Sequence, residues 1–309
     1  MATMVPDGSI WDKELREIAA QWQKQSDGEV VLRIYPGGVA GDEEQVVRKM
    51  RIGSLHAGAI TVAGLTAITP AFEVLAIPLF IRTYDELDFL LDEMEEELAR
   101  SLDEKGFVFL SWGIGGWAHF FSTEPVRTVD DLRSLKMFKW AGDQRMVRWW
   151  QSNGFKPVPL AMTDIMPGLR TGQIEVMAVP PLAALSLQWF RSTPYMHDLG
   201  LGPVVGANVV SKRVWNKIPT DLRPTLLEIA KKSSLNLSAA IPGQEASAVE
   251  EMKRRGLTVT TSSDQSEWTA LAEKFTKSVR GTIVPTDVLD RAEEVLSEYR
   301  SRDAEGANR

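Results

Sequence analysis

Short, nearly continuous apolar segments alternate along this chain with amphipathic segments, and this alternation constrains the fold most strongly. Ala57–Val62 and Phe107–Trp112 have the composition of buried strands. Between them, Thr83–Glu86 is a capping-box sequence that begins a predicted helix. Strands that are apolar throughout are typical of parallel sheets with both faces covered. The pattern therefore predicts an α/β fold.

A second series of similar segments begins near residue 124, so we expect two α/β lobes. Val30–Tyr35 is predicted as a further strand, and Gly113–Gly116 as a tight loop. The helical run Asp221–Arg255 is predicted to kink or break at Pro242-Gly243. The expected division is residues 1–123 with about 211–250 in lobe I, 124–210 with about 251–300 in lobe II, and a polar tail at 301–309.

The composition excludes several functional classes. The chain has no cysteine, which excludes disulfides, thiolate metal sites and cysteine nucleophiles. Its three histidines show no metal-binding spacing, so no metal or cofactor is expected. The 42 acidic residues outnumber the 35 basic ones. That balance argues against binding to nucleic acid or to an anionic membrane surface, because phosphate-rich partners require a basic face. Direct membrane insertion is not expected either, because the sequence has no transmembrane stretch.

No catalytic motif stands out. The chain lacks a G-x-S-x-G nucleophile elbow, and His119, which lies among aromatic residues, is interpreted as a packed side chain. Gly37–Gly41 precedes a helix whose acidic first turn, Asp42–Glu44, would repel a phosphate, so this loop is interpreted as a turn. A two-lobed α/β protein without catalytic residues is expected to bind a ligand between its lobes.

Several short motifs follow one another in a characteristic order from Val5 almost to the C-terminus. They are Asp27–Val30, Tyr35–Glu43, Arg48–Gly53, Ala76–Phe80, Lys105–Phe107, Pro125–Met137, Pro157–Leu160, Gly168–Gly172 and Val210–Trp215. Each motif alone is weakly specific, whereas the ordered series is specific. In this series the chain resembles the solute-binding proteins of tripartite ATP-independent periplasmic (TRAP) transporters, the dicarboxylate-binding-protein-like (DctP) family.

The resemblance implies a periplasmic-binding-protein-like clamp with mixed, mostly parallel sheets and a long connecting helix. Such a clamp closes over a small-molecule ligand by a hinge motion. The partners implied are the small and large membrane subunits of a TRAP transporter. The implied location is the periplasm, with an export signal removed ahead of Met1. Neither enzymatic activity nor a cofactor is expected from this family.

The resemblance also predicts the binding site. In most members, an arginine on the strand after Lys136 pairs with a substrate carboxylate, and here that position is Phe138; two further polar positions correspond to Ala118 and Ala178. A buried carboxylate without a cation costs roughly 3–5 kcal/mol, whereas covering apolar ligand surface gains about 25 cal/mol per Å². We therefore expect a hydrophobic or amphipathic ligand. The predicted ligand-binding residues are Phe138, Trp117, Trp140, Trp11, Ala118, Met177, Ala178, Pro180 and Asn208, the last as a polar contact.

Two alternatives stay open. In the first, the protein binds an organic acid through a relocated arginine, Arg145 or Arg148, on the next helix. Lys139 is disfavoured in this role, because a shift of one residue on a strand points the side chain to the opposite face. In the second, the same scaffold serves as a periplasmic chaperone or as an enzyme, for which His119 is the available acid–base group.

Overall fold

The computed structural model describes residues 1–141 and 144–307 of the 309-residue chain. Its strands are β1 (Ala2–Thr3), β2 (Ala57–Thr61), β3 (Phe107–Ser122), β4 (Lys136–Trp140), β5 (Lys156–Leu160), β6 (Val176–Val179), β7 (Tyr195–His197), β8 (Gly202–Ser211) and β9 (Thr258–Thr260). Its α-helices are α1 (Ile10–Gln25), α2 (Glu43–Ile52), α3 (Val62–Thr66), α4 (Tyr84–Asp103), α5 (Val129–Ser134), α6 (Gln144–Ser152), α7 (Ile165–Thr171), α8 (Pro181–Ser186), α9 (Lys212–Trp215), α10 (Arg223–Arg254), α11 (Gln265–Val279) and α12 (Thr286–Ala307).

Two long strands, β3 and β8, hold the sheet together. The strands lie in the order β1-β2-β8-β3-β6-β4-β5, and β7 pairs with β3 and β9. Ladders that include β3 or β8 are antiparallel, whereas β1–β2, β4–β5, β4–β6 and β7–β9 are parallel. The mixed α/β sheet expected from the sequence is confirmed.

Strand β3 belongs to both lobes. It pairs with β8 over Phe107–Ala118 and with β6 over His119–Ser122. We call the part built on β1, β2, β8 and the first section of β3 lobe I, and the part built on β4–β7, β9 and the end of β3 lobe II. The sequence boundaries of the two lobes stay a prediction.

The predicted loop at Gly113–Gly116 is wrong, because β3 runs through these glycines to Ser122. The glycines lie in an irregular part of the strand, where the register against β8 shifts between Ile114 and Gly116. Gly116 has a φ of +115°, a conformation that side-chain-bearing residues rarely adopt. A glycine-rich run in a sequence therefore predicted a loop where the structure has a bulged strand.

Helix α10 connects the lobes as predicted, but it does not break at Pro242. The helix is continuous over Arg223–Arg254 with Pro242 inside it. Near its start, Leu226 and Ala230 lie in a core cluster of lobe I, and near its end Met252 lies in a core cluster of lobe II. Packing at both ends holds the helix together across the proline.

Two further predictions are corrected. Val30–Tyr35 is not a regular strand; its neighbour β1 is only two residues long, and one isolated bridge joins Tyr35 to Ala2. The predicted polar tail is helical through Ala307. Arg300 anchors this helix to α4, because its guanidinium Nε and Nη2 donate to the two carboxylate oxygens of Glu86 over 2.8 and 2.9 Å.

Candidate functional site

A cavity of about 470 Å³ lies between the lobes. Lobe I contributes the end of β2, helix α3 and the starts of α2 and β8, and lobe II contributes the carboxyl ends of β4 and β5 with helices α6 and α11. This is the usual place for a ligand in an open α/β sheet. The polar and aromatic side chains of the lining include Asp42, Glu43, Glu44, Thr61, Thr66 and Glu73 of lobe I, and Lys139, Trp140, Gln144, Arg145, Trp149, Trp150, Trp268 and Phe275 of lobe II.

The lobe I wall is acidic, and its best-defined carboxylate is that of Glu43. The backbone N–H of Thr61 donates to Oε1 over 2.8 Å, and the Thr61 hydroxyl and the Gly64 N–H donate to Oε2 over 2.6 and 2.9 Å. Burial raises the pKa of Glu43, although these three donors oppose the shift. Glu43 therefore ties the start of α2 to the start of α3.

Aromatic rings form much of the lobe II wall. Trp149 and Trp150 on α6 lie with ring centroids 5.1 Å apart, and Phe275 on α11 lies 4.6 Å from Trp149. Trp268, also on α11, packs 5.8 Å from Phe120 of β3. Rings of this kind provide a rigid apolar surface on which the flat or apolar face of a ligand can rest.

Lys139 brings a cation to this aromatic wall. Its Nζ lies 4.1 Å from the centroid of the Trp150 ring, a cation–π geometry. Side chains of a strand alternate between the two faces of the sheet. Met137 packs in the same cluster as Trp150, and Lys139, two residues further on, lies on the same face of the sheet as Met137. Phe138, between them, points to the opposite face, into the lobe II core. The site thus contains a positive charge that the sequence-based prediction disfavoured.

Three of the predicted residues line the cavity. Ala118 on β3, Ala178 on β6 and Trp140 at the end of β4 are all partly exposed there. The Trp140 ring packs edge-on against Phe138, with centroids 5.1 Å apart. A contact between these three residues and a ligand stays a prediction.

Phe138 and Met177 do not line the cavity, which corrects the sequence-based prediction. Phe138 is only 5% exposed, and Met177 is fully buried. Both lie in the lobe II core with Ile165 and Leu169 of α7. The cause is the alternation along β4, which turns Phe138 into the core and Lys139 toward the cavity.

Trp11 and Trp117 are likewise core residues rather than lining residues. The Trp11 Nε1 donates to the Ile114 carbonyl oxygen over 2.9 Å inside lobe I. The Trp117 ring packs edge-on against Tyr84, with centroids 5.1 Å apart. A tryptophan pattern in the sequence does not distinguish such packed rings from rings that face a cavity.

Asn208 and Pro180 also lie away from the cavity. Asn208 is buried between β8 and β3, where its Nδ2 donates to the Ser111 hydroxyl over 3.0 Å. Pro180 is buried at the start of α8 and approaches the backbone of Gly116. The polar contact predicted for Asn208 is therefore made within the sheet.

The two arginines proposed as replacements differ in position. Arg145 lies at the cavity on the exposed side of α6, and its Nη1 approaches the Thr282 carbonyl oxygen at 3.4 Å. Arg148, one turn further on, is exposed but does not line the cavity. Of the two, only Arg145 is placed to meet a ligand.

The sequence-based site missed Lys139, the Trp149–Trp150 pair and Glu73. The paired tryptophans carried a usable signal, since two adjacent rings on a short helix cannot both face the core. Glu73 carried a weaker one, as a lone acid in an apolar segment; it is 7% exposed and lines the cavity. The sequence around Lys139 gave no signal of its position at the cavity, because that position depends on the register of β4.

Within the residues described, no helix is both long and apolar enough to cross a membrane.

Proteins of known sequence and structure resemble this chain over most of its length. The 2,3-diketo-L-gulonate-binding periplasmic protein YiaO of Escherichia coli is 22% identical over 285 residues, which are 88% of this chain and 84% of that one. A solute-binding protein of Chromohalobacter salexigens is 28% identical over 172 residues, so the chain spans half the length of that relative.

Two solved structures share the fold. A TRAP periplasmic solute-binding protein of Ralstonia eutropha with bound (S)-2-acetolactate superposes with a TM-score of 0.89 at 19% identity, covering 96% of this chain and 98% of that one. One of Xanthobacter autotrophicus with bound β-D-galacturonate gives 0.87 at 19% identity, with the same coverage. The family model for bacterial extracellular solute-binding proteins, family 7, matches residues 1–281. The chain therefore belongs to the DctP family, the solute-binding proteins of TRAP transporters.

Proposed function

We propose that this protein captures a small organic acid in the cavity between its lobes and that Lys139 pairs with the carboxylate of the acid. In this proposal Arg145 adds a second positive charge at the rim, and the aromatic wall supports the carbon skeleton. The observation that carries the proposal is the Lys139 ammonium in the cavity, 4.1 Å from the Trp150 ring centroid.

The relatives support an acid. YiaO is named for binding 2,3-diketo-L-gulonate, and the two solved structures hold (S)-2-acetolactate and β-D-galacturonate. Each of these ligands carries a carboxylate. A cavity of about 470 Å³ falls in the range of small-molecule sites and has room for a molecule of that size.

A hydrophobic ligand, one of the two kinds that the sequence analysis expected beside an amphipathic one, gains no support. The relatives bind acids, and the expectation depended on Phe138, which lies in the core. A wholly apolar ligand would make no charge-assisted hydrogen bond with the Lys139 ammonium at the cavity. An amphipathic acid satisfies both the ammonium and the rings.

The proposal includes a place in transport. We infer binding without catalysis, a periplasmic location and delivery of the acid to the small and large membrane subunits of a TRAP transporter. Membership of the DctP family supports each of these points.

The test is calorimetric titration of the purified protein with β-D-galacturonate, (S)-2-acetolactate and 2,3-diketo-L-gulonate, with neutral D-galactose as the uncharged counterpart. For whichever acid binds, Lys139→Met is expected to weaken binding about 10- to 100-fold, because it removes a charge-assisted hydrogen bond. Affinity for the acid is also expected to fall with added salt.

The matched control is Lys156→Met on the adjacent strand β5. The Lys156 side chain is exposed outside the cavity, where its Nζ donates to the Ser134 carbonyl oxygen over 2.6 Å. This substitution should leave the affinity unchanged. Equal binding of D-galactose, or an acid whose affinity survives Lys139→Met, would overturn the proposal.

A further inference from the structure

The Glu245 carboxylate is buried where α10, α4 and β3 meet. The Tyr84 hydroxyl, at the start of α4, donates to Oε2 over 2.6 Å. The backbone N–H of Trp117, on β3, donates to Oε1 over 2.9 Å. One side chain of the connecting helix therefore holds both a helix of lobe I and the strand that passes between the lobes.

This junction is tightly packed. A Cβ atom at Gly116 would lie 2.3 Å from Oε1 of Glu245 and 3.0 Å from the side chain of Pro180, at the start of α8 in lobe II. The rings of Tyr84 and Trp117, the two residues that donate to Glu245, also pack edge-on against each other. Gly116 is the residue type that allows the strand to approach the carboxylate this closely.

The position of the junction matters for binding. Residues up to Ala118 of β3 pair with β8, and from His119 onward the strand pairs with β6 of lobe II. Glu245 contacts β3 two residues before this change of partner. Hinge motions concentrate at a few residues between rigid parts, so this change of partner is where a movement of one lobe against the other would be expected to bend the chain.

We propose that Glu245 positions the two lobes relative to each other: its carboxylate fixes the angle between them, and its ionisation loosens that junction and widens the range of lobe positions. The solute itself has no part in this inference, which therefore stands apart from the proposed organic acid.

The chemistry gives the direction of the effect. Burial raises the pKa of Glu245 to about 7, even though Tyr84 and the Trp117 N–H favour the charged form. In a loosened junction the carboxylate meets water, and its pKa returns toward the ordinary value of 4.5. By linkage, protonation favours the intact junction and ionisation favours the loosened one.

Glu245 has few neighbours that titrate. From α4, Tyr84 faces it directly, and Asp88, one turn further on, acts on the Tyr84 hydroxyl rather than on Glu245. β3 presents Gly116 and Trp117, and α8 contains no ionisable residue. On α10 itself, the residues three and four positions away are Ile241, Pro242, Ala248 and Val249.

The absence of native cysteine allows a direct measurement. Arg48→Cys on α2 of lobe I and Arg170→Cys on α7 of lobe II introduce two exposed labelling sites. Nitroxide labels there report the distribution of distances between the lobes in the ligand-free protein by pulsed electron paramagnetic resonance. We compare the otherwise native chain with Glu245→Gln, whose amide can bond to both Tyr84 and Trp117 without a charge.

In the native chain, the population outside the main distance peak is expected to rise about fivefold between about pH 6 and about pH 8. Glu245→Gln should show the narrow distribution at both pH values. The control Glu250→Gln, an exposed residue of the same helix paired with Lys253, should behave like the native chain.

Tyr84→Phe provides an independent variant that retains the carboxylate. It removes a donor that favours the charged form, so the midpoint of the pH transition should move upward. A distribution that does not change with pH in the native chain would overturn the inference. The inference would also be overturned if the distance distribution of Glu245→Gln changed with pH in the same way as that of the native chain. A pH midpoint in Tyr84→Phe equal to that of the native chain would overturn it too.

Discussion

At the scale of single residues, the alternation along β4 decides which chemistry reaches the cavity. Phe138 and Lys139 are adjacent, yet one lies in the lobe II core and the other against the ring of Trp150 in the cavity. A resemblance matched residue by residue identifies a position along the chain but not the direction of its side chain. The Lys139 cation was therefore visible in the sequence, but its position at the cavity was not predictable without the register of the strand.

Phe138 and Trp140 are expected to separate stability from binding. Phe138→Ala should lower the free energy of unfolding by about 3–5 kcal/mol, because it opens a cavity in the core. Trp140→Ala removes a partly exposed ring and should cost about 1 kcal/mol or less, while weakening acid binding about tenfold. Urea denaturation and calorimetric titration measure the two quantities. Equal loss of stability in both variants would contradict this assignment.

At the scale of secondary-structure elements, the starts of α1 and α4 were predictable from their capping residues. Ser9 accepts a hydrogen bond from the Asp12 N–H at the start of α1, and Thr83 accepts one from the Glu86 N–H at the start of α4. These caps are local in sequence, so the residues that make them can be read directly. The full length of β3 was not predictable, because its bulge depends on contacts with Val204 of β8 and Glu245 of α10.

Glu43 is expected to stabilise the attachment of α2 to α3. Glu43→Ala leaves the Thr61 and Gly64 N–H groups without their acceptor and should lower the free energy of unfolding by about 3 kcal/mol. Glu44→Ala changes the exposed neighbouring residue and should stay within about 0.5 kcal/mol of the native value. Urea denaturation distinguishes the two. A small effect at Glu43 would show that its hydrogen bonds are replaced by water.

At the scale of the whole molecule, the two-lobed architecture followed from the order of segments, and the connecting helix followed from the family resemblance. Strands alternate with helices in two series, and α10 was long enough to reach both. The position of β8 between β2 and β3 was not predictable, because it brings together segments about a hundred residues apart. The cavity depends on that pairing, so its lining could be predicted only in part.

The stability of the molecule is expected to depend on pH through Glu245. Its pKa in the folded protein is raised to about 7 from an ordinary value of 4.5, so the folded state binds more protons than the unfolded state between these values. The contribution to stability is complete below about pH 4.5 and is lost as the pH rises through about 7. Urea denaturation of native and Glu245→Gln protein across this range should show a smaller dependence of stability on pH in the variant, because other shifted groups such as Glu43 still contribute.

The order of the elements along the chain has a consequence for biosynthesis. The aromatic wall of the cavity ends with Trp268 and Phe275 on α11, and β8, at residues 202–211, separates β2 from β3. A polypeptide that emerges from its N-terminus first lacks β8 until residue 211 of 309 has been added, and it lacks α11 until residue 279 has been added. The cavity wall is therefore complete only after α11 has been made.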